Sequence, residues 1–505
     1  MKDSKISLKT LDEAVLKSTN PTLLKEDEII PQTVTIWQVI QNLIPNISSS
    51  AITIFITTAE VHFIGQTKDN KLYDGIGLAQ VYINVLIYYI GSGFCESLII
   101  FCPKNFGSGN FKLLGIQTNQ IRIIVTLYYL FFILITSIFC EHIITLLVGE
   151  ISYLQITKTY ILITMPAYFM SLQYDIYCKH SESQLVYKPV IISLVLSIMI
   201  HPTICYYLIN HYGMGVIGAG IASNVTETIK LLTMIIYFTT INPYSESNFF
   251  FNKETFINFW KIVKISTISA FIFFSEYIGY SISSIFAAKL GDLAYAKHLN
   301  LSCINSLNYM INYGFLNSTS IIIGNYVGQN SPTNIKKSIK YLIIIAFLIE
   351  IPLISIFIFF QKRFIIFFSE NYLVSNADMN DLIILMSIYG ALDLFQAILQ
   401  GILRGLGLIK TVSFYSITLF LVVQPSLYYM FIYWANLELE GLWAALVICL
   451  IVLNSIYLAL LLFRVDINKI CRDFKNNLNK DIVDVVKYEE EEYSVKINCI
   501  SRSDL

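Results

Sequence analysis

Apolar residues fill this chain in long blocks rather than in an alternating or heptad pattern. A helix needs about 20 apolar residues to cross the hydrocarbon of a bilayer. Twelve such runs lie at 35–64, 76–102, 121–141, 153–177, 187–209, 214–240, 262–288, 298–323, 338–361, 380–405, 411–434 and 440–463, separated by short breaks that hold charge, Gly, Asn or Pro. Segments such as LYYLFFILITSIF and YLIIIAFLIEIPLISIFIFF are apolar on every side. Membrane barrel strands would be shorter and would alternate apolar with polar residues. The pattern predicts an all-α integral membrane protein of twelve spans.

The spans repeat. GlyPhe at 93–94, with Ser97 and Gly107, returns at 314–315 with Ser318 and Gly328, an offset of 221 residues. Lys188 answers Lys410 at 222, and Gly215 with Ala219 answers Gly441 with Ala445 at 226. Six helices are followed by six of the same kind. Because six is even, both halves enter from the same face, related by an axis along the membrane normal, as in transporters built from parallel repeats. The expected organisation is an N-terminal tail (1–34), a first bundle (35–240), a linker (241–261), a second bundle (262–463) and a C-terminal tail (464–505). Two matched six-helix bundles leave a central cleft that can open to one side at a time.

Composition sharpens this picture. Of 505 residues, 55% are hydrophobic and 14% charged, with a formal net charge of -1 and a mean hydropathy of +0.62. Eleven charged residues precede residue 37 and 17 follow from Arg464, which leaves 41 across the intervening 427. That rules against disorder, a nucleic-acid-binding surface and a water-soluble catalytic domain. The nine cysteines are scattered singly, without a CxxC pair or companion His spacing, and read as apolar filler. The N-terminal segment has no apolar core of its own and reads as neither a secretory signal nor a transit peptide.

Lys and Arg are retained on the cytoplasmic side of membranes. Breaks 2–3 (Lys104, Lys112, Arg122), 4–5 (Lys179, Lys188), 8–9 (Lys336, Lys337, Lys340) and 10–11 (Arg404, Lys410) hold ten, against six opposite (Lys68, Lys71, Lys289, Lys297, Lys362, Arg363). Both tails and the linker are expected in the cytoplasm.

A carboxylate at membrane depth costs roughly 2.5 kcal/mol or more, so each should face a wet cavity or a partner. The informative acids are Glu60, Glu96, Glu227, Glu276, Glu350 and Asp393. In span 1, Asn46, Ser49, Thr53, Thr57 and Glu60 recur at 3, 4, 4 and 3, one face of a helix. In span 7, Glu276 and Tyr280 lie one turn apart, with Ser269 and Ser283 seven residues either side of Glu276. In span 10, Asp393, Gln396, Gln400 and Arg404 repeat at 3, 4 and 4. Such acids can instead be structural, bonding a neighbouring helix; Glu350, isolated in LIEIPL, reads that way, and Glu227, with Asn224 one turn before it, reads either way.

In order and register from about residue 38 to 464, GVIGAGIASNVTE, FFSEYIGYSISSIFAAKLG, NYMINYGFLNSTSIIIGNYVGQN, DLFQAILQGILRGLGLIK and EGLWAAL resemble the multidrug and toxin extrusion (MATE) family, most closely its eukaryotic branch. The resemblance implies exchange of organic cations for protons. It places Glu276 on that branch's helix 7 glutamate, Tyr280 on the tyrosine one turn later, Tyr309 on the tyrosine of helix 8, and Asp393 on the helix 10 acid preceding Arg404 and Gly405. Glu60 stands where bacterial relatives keep an aspartate in helix 1. The chain also departs from the pattern: the helix 2 acid falls on Ile99, with Glu96 one turn earlier, and its glutamine on Lys104. A second helix 7 glutamate is Ser281, a helix 8 tyrosine is Ser302, and Trp-Gln after RGxG is Leu408-Ile409.

The expected function is secondary antiport by alternating access: export of organic cations or other xenobiotics and metabolites in exchange for protons, with neither cofactor nor metal and no enzymatic step. Glu276 and Asp393 would form the main exchange site, with Gln396 on the Asp393 stripe and Tyr280 and Tyr309 as cation–π walls worth about 0.5 to 2 kcal/mol. Glu60, with Glu227 and Asn224, would form a secondary site in the first half. Sodium coupling is an alternative, since a carboxylate beside hydroxyls and amides suits either ion. A lipid-linked oligosaccharide flippase would need a basic cleft, whereas the first-half helices look almost free of Lys and Arg. A channel or receptor fits the repeats and midplane acids less well, and no Ser/His/Asp set or phosphate-binding glycine loop supports an enzyme. The expected setting is a multi-pass monomer in the plasma membrane or a vacuolar or vesicular membrane, with partners limited to cargo, coupling ion and lipid. YEEEEYSV at 488–495 reads as a solvated acidic segment, and NLS at Asn300 sits too close to span 8 for glycosylation.

Overall fold

A computed structural model describes residues 33–479 and 483, apart from 68, 150–151, 242, 250–252 and 369–378. Lys68, the N-terminal segment, the acidic run at 488–495, Cys499 and the side chains of Thr53 and Thr57 therefore lie outside the described residues. The described chain is helical, with no strand. Its twelve long helices are α1 (Ile36–Gln66), α2 (70–107), α3 (Phe111–Val148), α4 (Leu154–Ser183), α5 (Lys188–His211), α6 (Gly215–Thr240), α7 (Phe259–Lys289), α8 (Asp292–Gly328), α9 (Pro332–Phe359), α10 (Asn380–Leu406), α11 (Ile409–Trp434) and α12 (Glu438–Phe463). Among the described residues, eight of these are long and apolar enough to cross a membrane by length and composition: α2, α3, α5, α7 and α9 to α12.

Local signals set the ends. Thr35 caps α1 in a reciprocal box with Gln38, and Asn110 accepts from the Leu113 amide at the start of α3. Gly407, at φ 90°, ends α10 in the left-handed region that glycine takes without strain. Helices α3 and α8 begin about ten and six residues before the apolar runs at 121 and 298, because intrahelical hydrogen bonding continues past the hydrocarbon while apolarity does not. Residues 467–479, placed by sequence in the C-terminal tail, form a further helix whose Cys471 is buried against α1 and α8 to α10.

Each half has its own apolar core. One surrounds Leu98, Ile121, Tyr160 and Ile176 in α2 to α4, and the other Trp443, Tyr428 and Tyr457 in α11 and α12. On the outer face of α3, Leu127, Leu130, Phe131, Leu134 and Ile138 are exposed at helical spacing, as a lipid-facing stripe should be. The repeat seen in sequence marks where the halves meet. Gly93 of α2 packs on the Ala270 backbone of α7, and its counterpart Gly314 of α8 packs on Ile47 of α1. The second repeated pair crosses at the same end as the linker: Gly107 lies against the Asn325 carbonyl, and Gly328 against the Lys104 carbonyl. These approaches close that face of the cleft with backbone on backbone.

The structure also corrects the loop arithmetic. Lys104, Lys179 and Arg404 are buried within α2, α4 and α10 rather than standing in loops, so they carry little weight as topological charge and the two faces are nearly balanced. Asn300 lies inside α8, buried, its amide donating to the Ile365 carbonyl. Seven of the eight described cysteines are buried, and all are free.

Candidate functional site

A cavity of about 410 Å³ opens in the first half, against α8 of the second. Its polar lining comes chiefly from α1, α2, α4 and α6, and it includes Glu60, Asp175, Glu182 and Glu227, the lysines Lys179 and Lys230, and the rings of Tyr88, Tyr89, Tyr168, Tyr174, Tyr309 and Tyr313. In α2 a π-helical turn at Asn84–Tyr88 inserts an extra residue, and Asn84, Tyr88 and Tyr89 all reach the cavity wall.

Glu60 sits at the end of the cavity remote from the linker. It accepts hydrogen bonds from Tyr160 of α4 (2.5 Å) and Ser223 of α6 (3.1 Å). Glu227 is held by Lys230 one turn on, with both carboxylate oxygens 2.9 Å from the ammonium, which also lies 4.5 Å from the Tyr174 ring centre. Asn224 turns away, donating to the carbonyls of Ile163 and Gly220 at 2.7 and 2.9 Å.

At the other end of the cavity, Lys179 pairs with Glu96 at 2.7 Å and more loosely with Glu182 at 3.6 Å. Two residues of α8 complete this cluster across the lobe boundary. Tyr313 donates to Glu96 at 2.5 Å. With its amide oriented to suit its neighbours, Asn317 donates to the second Glu96 oxygen (3.2 Å) and accepts from Lys179 (2.9 Å). Glu96 is 1% and Lys179 7% exposed. Glu96 thus lies beneath the cavity in an ion pair of the first half that two α8 side chains tie to the second.

Glu276 and Asp393 lie elsewhere, inside the second half, and neither lines the cavity. Glu276 accepts from Gln400 of α10 (2.8 Å), which itself accepts from Gln396 (3.3 Å). Asp393 accepts from Asn312 of α8 (2.7 Å). Tyr280 donates to Ser302 (3.0 Å) within the second-half core. Of the second-half residues singled out from sequence, Tyr309 reaches the cavity, where its ring stacks on Tyr313 at a centroid distance of 6.1 Å. Glu350 accepts from Asn308 at 3.2 Å, a helix-to-helix bond of the kind its isolated position suggested.

The sequence reading missed Asp175, Lys179, Glu182 and Lys230 as cavity residues, and its view of the first-half helices as almost free of basic residues does not hold. Both lysines are bound to acids, so they do not form the open cationic surface that a pyrophosphate group would need. A signal for α4 was available: Tyr168, Ser171, Asp175, Lys179 and Glu182 recur at 3, 4, 4 and 3, the same spacing as the α1 stripe.

A MatE family model matches residues 45–207 and 269–430, the two halves found in the repeat. The chain is 24% identical over 443 residues to multidrug and toxin extrusion protein 1 of Xenopus tropicalis, covering 85% of this chain and 75% of that protein. It is 22% identical to protein DETOXIFICATION 18 of Arabidopsis thaliana, covering 85% and 91%. Among solved structures, it is similar to the eukaryotic MATE transporter AtDTX14 with a TM-score of 0.78 at 17% identity, covering 88% of this chain and 99% of that one. A MOP superfamily transporter from Pyrococcus furiosus matches with a TM-score of 0.73 at 15% identity, covering 83% and 93%.

Proposed function

We propose, on the premise that this chain belongs to the MatE family and is a multi-pass transporter rather than an enzyme, that it exports organic cations in exchange for protons. The observation that carries this reading is the cavity against the lobe boundary, in which carboxylates outnumber lysines and tyrosine faces supply the walls. An acidic surface in a water-poor cleft attracts a cation by charge, and aromatic faces add to that attraction. The backbone contacts at Gly107 and Gly328 close the linker-side end of the cleft in this conformation.

The two halves divide the work in this reading. Cargo occupies the first-half cavity, with Glu60 and Glu227 among its acids and Tyr309 in its wall. Glu276 and Asp393, with Gln396 and Tyr280 around them, carry the coupling proton. Their neighbours suit a group that changes protonation state. Asn312 donates to Asp393 as a carboxylate, while its Oδ1 has no partner and could accept from the carboxylic acid after the amide turns. Antiport follows if proton and cargo stabilise opposite openings of the cleft, since each then drives the change that releases the other.

The test is export of a fluorescent cation from reconstituted vesicles under a proton gradient, with a sodium gradient as the comparison. Glu276→Gln and Asp393→Asn are each expected to lower proton-driven flux by at least tenfold while the proteins keep the wild-type unfolding temperature. Normal proton-driven flux in Glu276→Gln, or flux by wild-type protein that follows sodium alone, would overturn the coupling assignment.

A further inference from the structure

We propose that Asp175 on α4 is the carboxylate that directly contacts the ammonium of the cationic cargo in the first-half cavity. This rests on the cation-export reading and goes beyond it by assigning the contact to a residue that neither the repeat nor the resemblance marks.

The charges of the cavity leave this position conspicuous. Glu227 is neutralised by Lys230, and Glu96 and Glu182 share Lys179. Glu60 has two hydroxyl donors. Asp175 lines the same cavity, yet its enclosed Oδ2 finds no hydrogen-bond partner. The lysines that neighbour it, Lys179 and Lys230, hold their close contacts with other acids. A carboxylate with an oxygen shut away from water and given no donor is costly unless something else supplies the positive charge.

The surroundings fit an organic rather than a bare metal ion. Tyr168, two helical turns before Asp175 on α4, lies edge-on to Tyr88 of α2 at a centroid distance of 6.1 Å, and both rings line the cavity with Tyr309 opposite, on α8. Aromatic faces around a single carboxylate recognise a monocation with a flat, apolar body: the carboxylate takes the charge and the rings take the ring system.

Ethidium, a permanently charged phenanthridinium, and uncharged phenanthridine separate charge recognition from shape. With the full-length chain in detergent, Asp175→Asn should weaken ethidium binding at least tenfold and change phenanthridine binding by less than twofold, while Asp175→Glu keeps ethidium within a few-fold of wild type. Ethidium binding within twofold of wild type in Asp175→Asn, or equal losses for both probes, would overturn the assignment. If Asp175→Asn does not fold, the wild-type protein still decides: saturating ethidium should slow modification of Asp175 by dicyclohexylcarbodiimide, and an unchanged rate by peptide mass spectrometry counts against the contact. Ethidium bound through Asp175 but not exchanged for protons removes the transport reading and supports the contact. Ethidium exchanged by wild-type protein but bound equally well by Asp175→Asn does the reverse.

Discussion

Lys179→Met is expected to destabilise the protein by about 3 to 5 kcal/mol, the range for removing one partner of a buried ion pair. The lysine is 7% exposed and its main partner Glu96 is 1% exposed. Deleting the ammonium therefore leaves Glu96 with only the donors of Tyr313 and Asn317 and leaves Glu182 without its cation. Because Tyr313 and Asn317 belong to α8, the loss falls on the boundary between lobes as well as on the first-half core. Thermal unfolding in detergent should show a clear drop in the transition temperature. Lys179→Met combined with Glu96→Gln should be more stable than Lys179→Met alone, since it removes the orphaned charge. A double variant no better than the single one would show that the ion pair does not account for the loss.

Gly328→Leu and Gly107→Leu should each shift the cleft away from the closed arrangement of its linker-side end and abolish most transport. A Cβ at Gly328 would stand 2.1 Å from the Lys104 carbonyl oxygen, and one at Gly107 would stand 2.1 Å from that of Asn325. Both obstacles are backbone in the interior of a helix pair and have no rotamer to escape into. Overpacking of this kind costs about 1 to 3 kcal/mol, which displaces a two-state equilibrium by roughly five- to a hundredfold at about 1.4 kcal/mol per factor of ten. Each lobe stays intact, because the clash lies between lobes. Spin labels at the exposed residues 188 and 336, one on each lobe, should move apart by several ångströms, with vesicle transport reduced at least tenfold. An unchanged distance distribution together with normal transport would show that the lobes need not touch here in the cycle.

Most of the architecture was legible because lipid imposes a simple rule. Backbone groups in hydrocarbon must bond within their own helix, so uninterrupted apolar runs must be helices of nearly fixed length. The offset of 221 residues likewise exposed the two halves, and Gly93, Gly107, Gly314 and Gly328 recur because both halves present the same surfaces to each other. Polar periodicity found the α1, α7 and α10 stripes for the same reason: a charge is costly in lipid wherever it stands. The rule weakened where polarity ran up to a helix end. The KHSES run after Cys178 reads as a loop, yet Lys179 is inside α4, made tolerable there by Glu96 from α2 and Asn317 from α8.

The twelve helices, their grouping into two bundles and the acids that must avoid lipid can all be read from residue order, because each depends on neighbours a few residues away or on a fixed repeat. Which acids share a cavity and which are bound off follows from how the helices pack. Glu276 and Asp393 keep their own amide partners inside the second half, while Glu60, Asp175 and Glu227 open onto one space. The donors to a buried carboxylate can lie more than a hundred positions away, as Gln400 does for Glu276 and Tyr313 for Glu96, even though Glu227 finds its lysine one turn on. Charge is compensated through space, and local spacing carries no record of which distant helix supplies the partner.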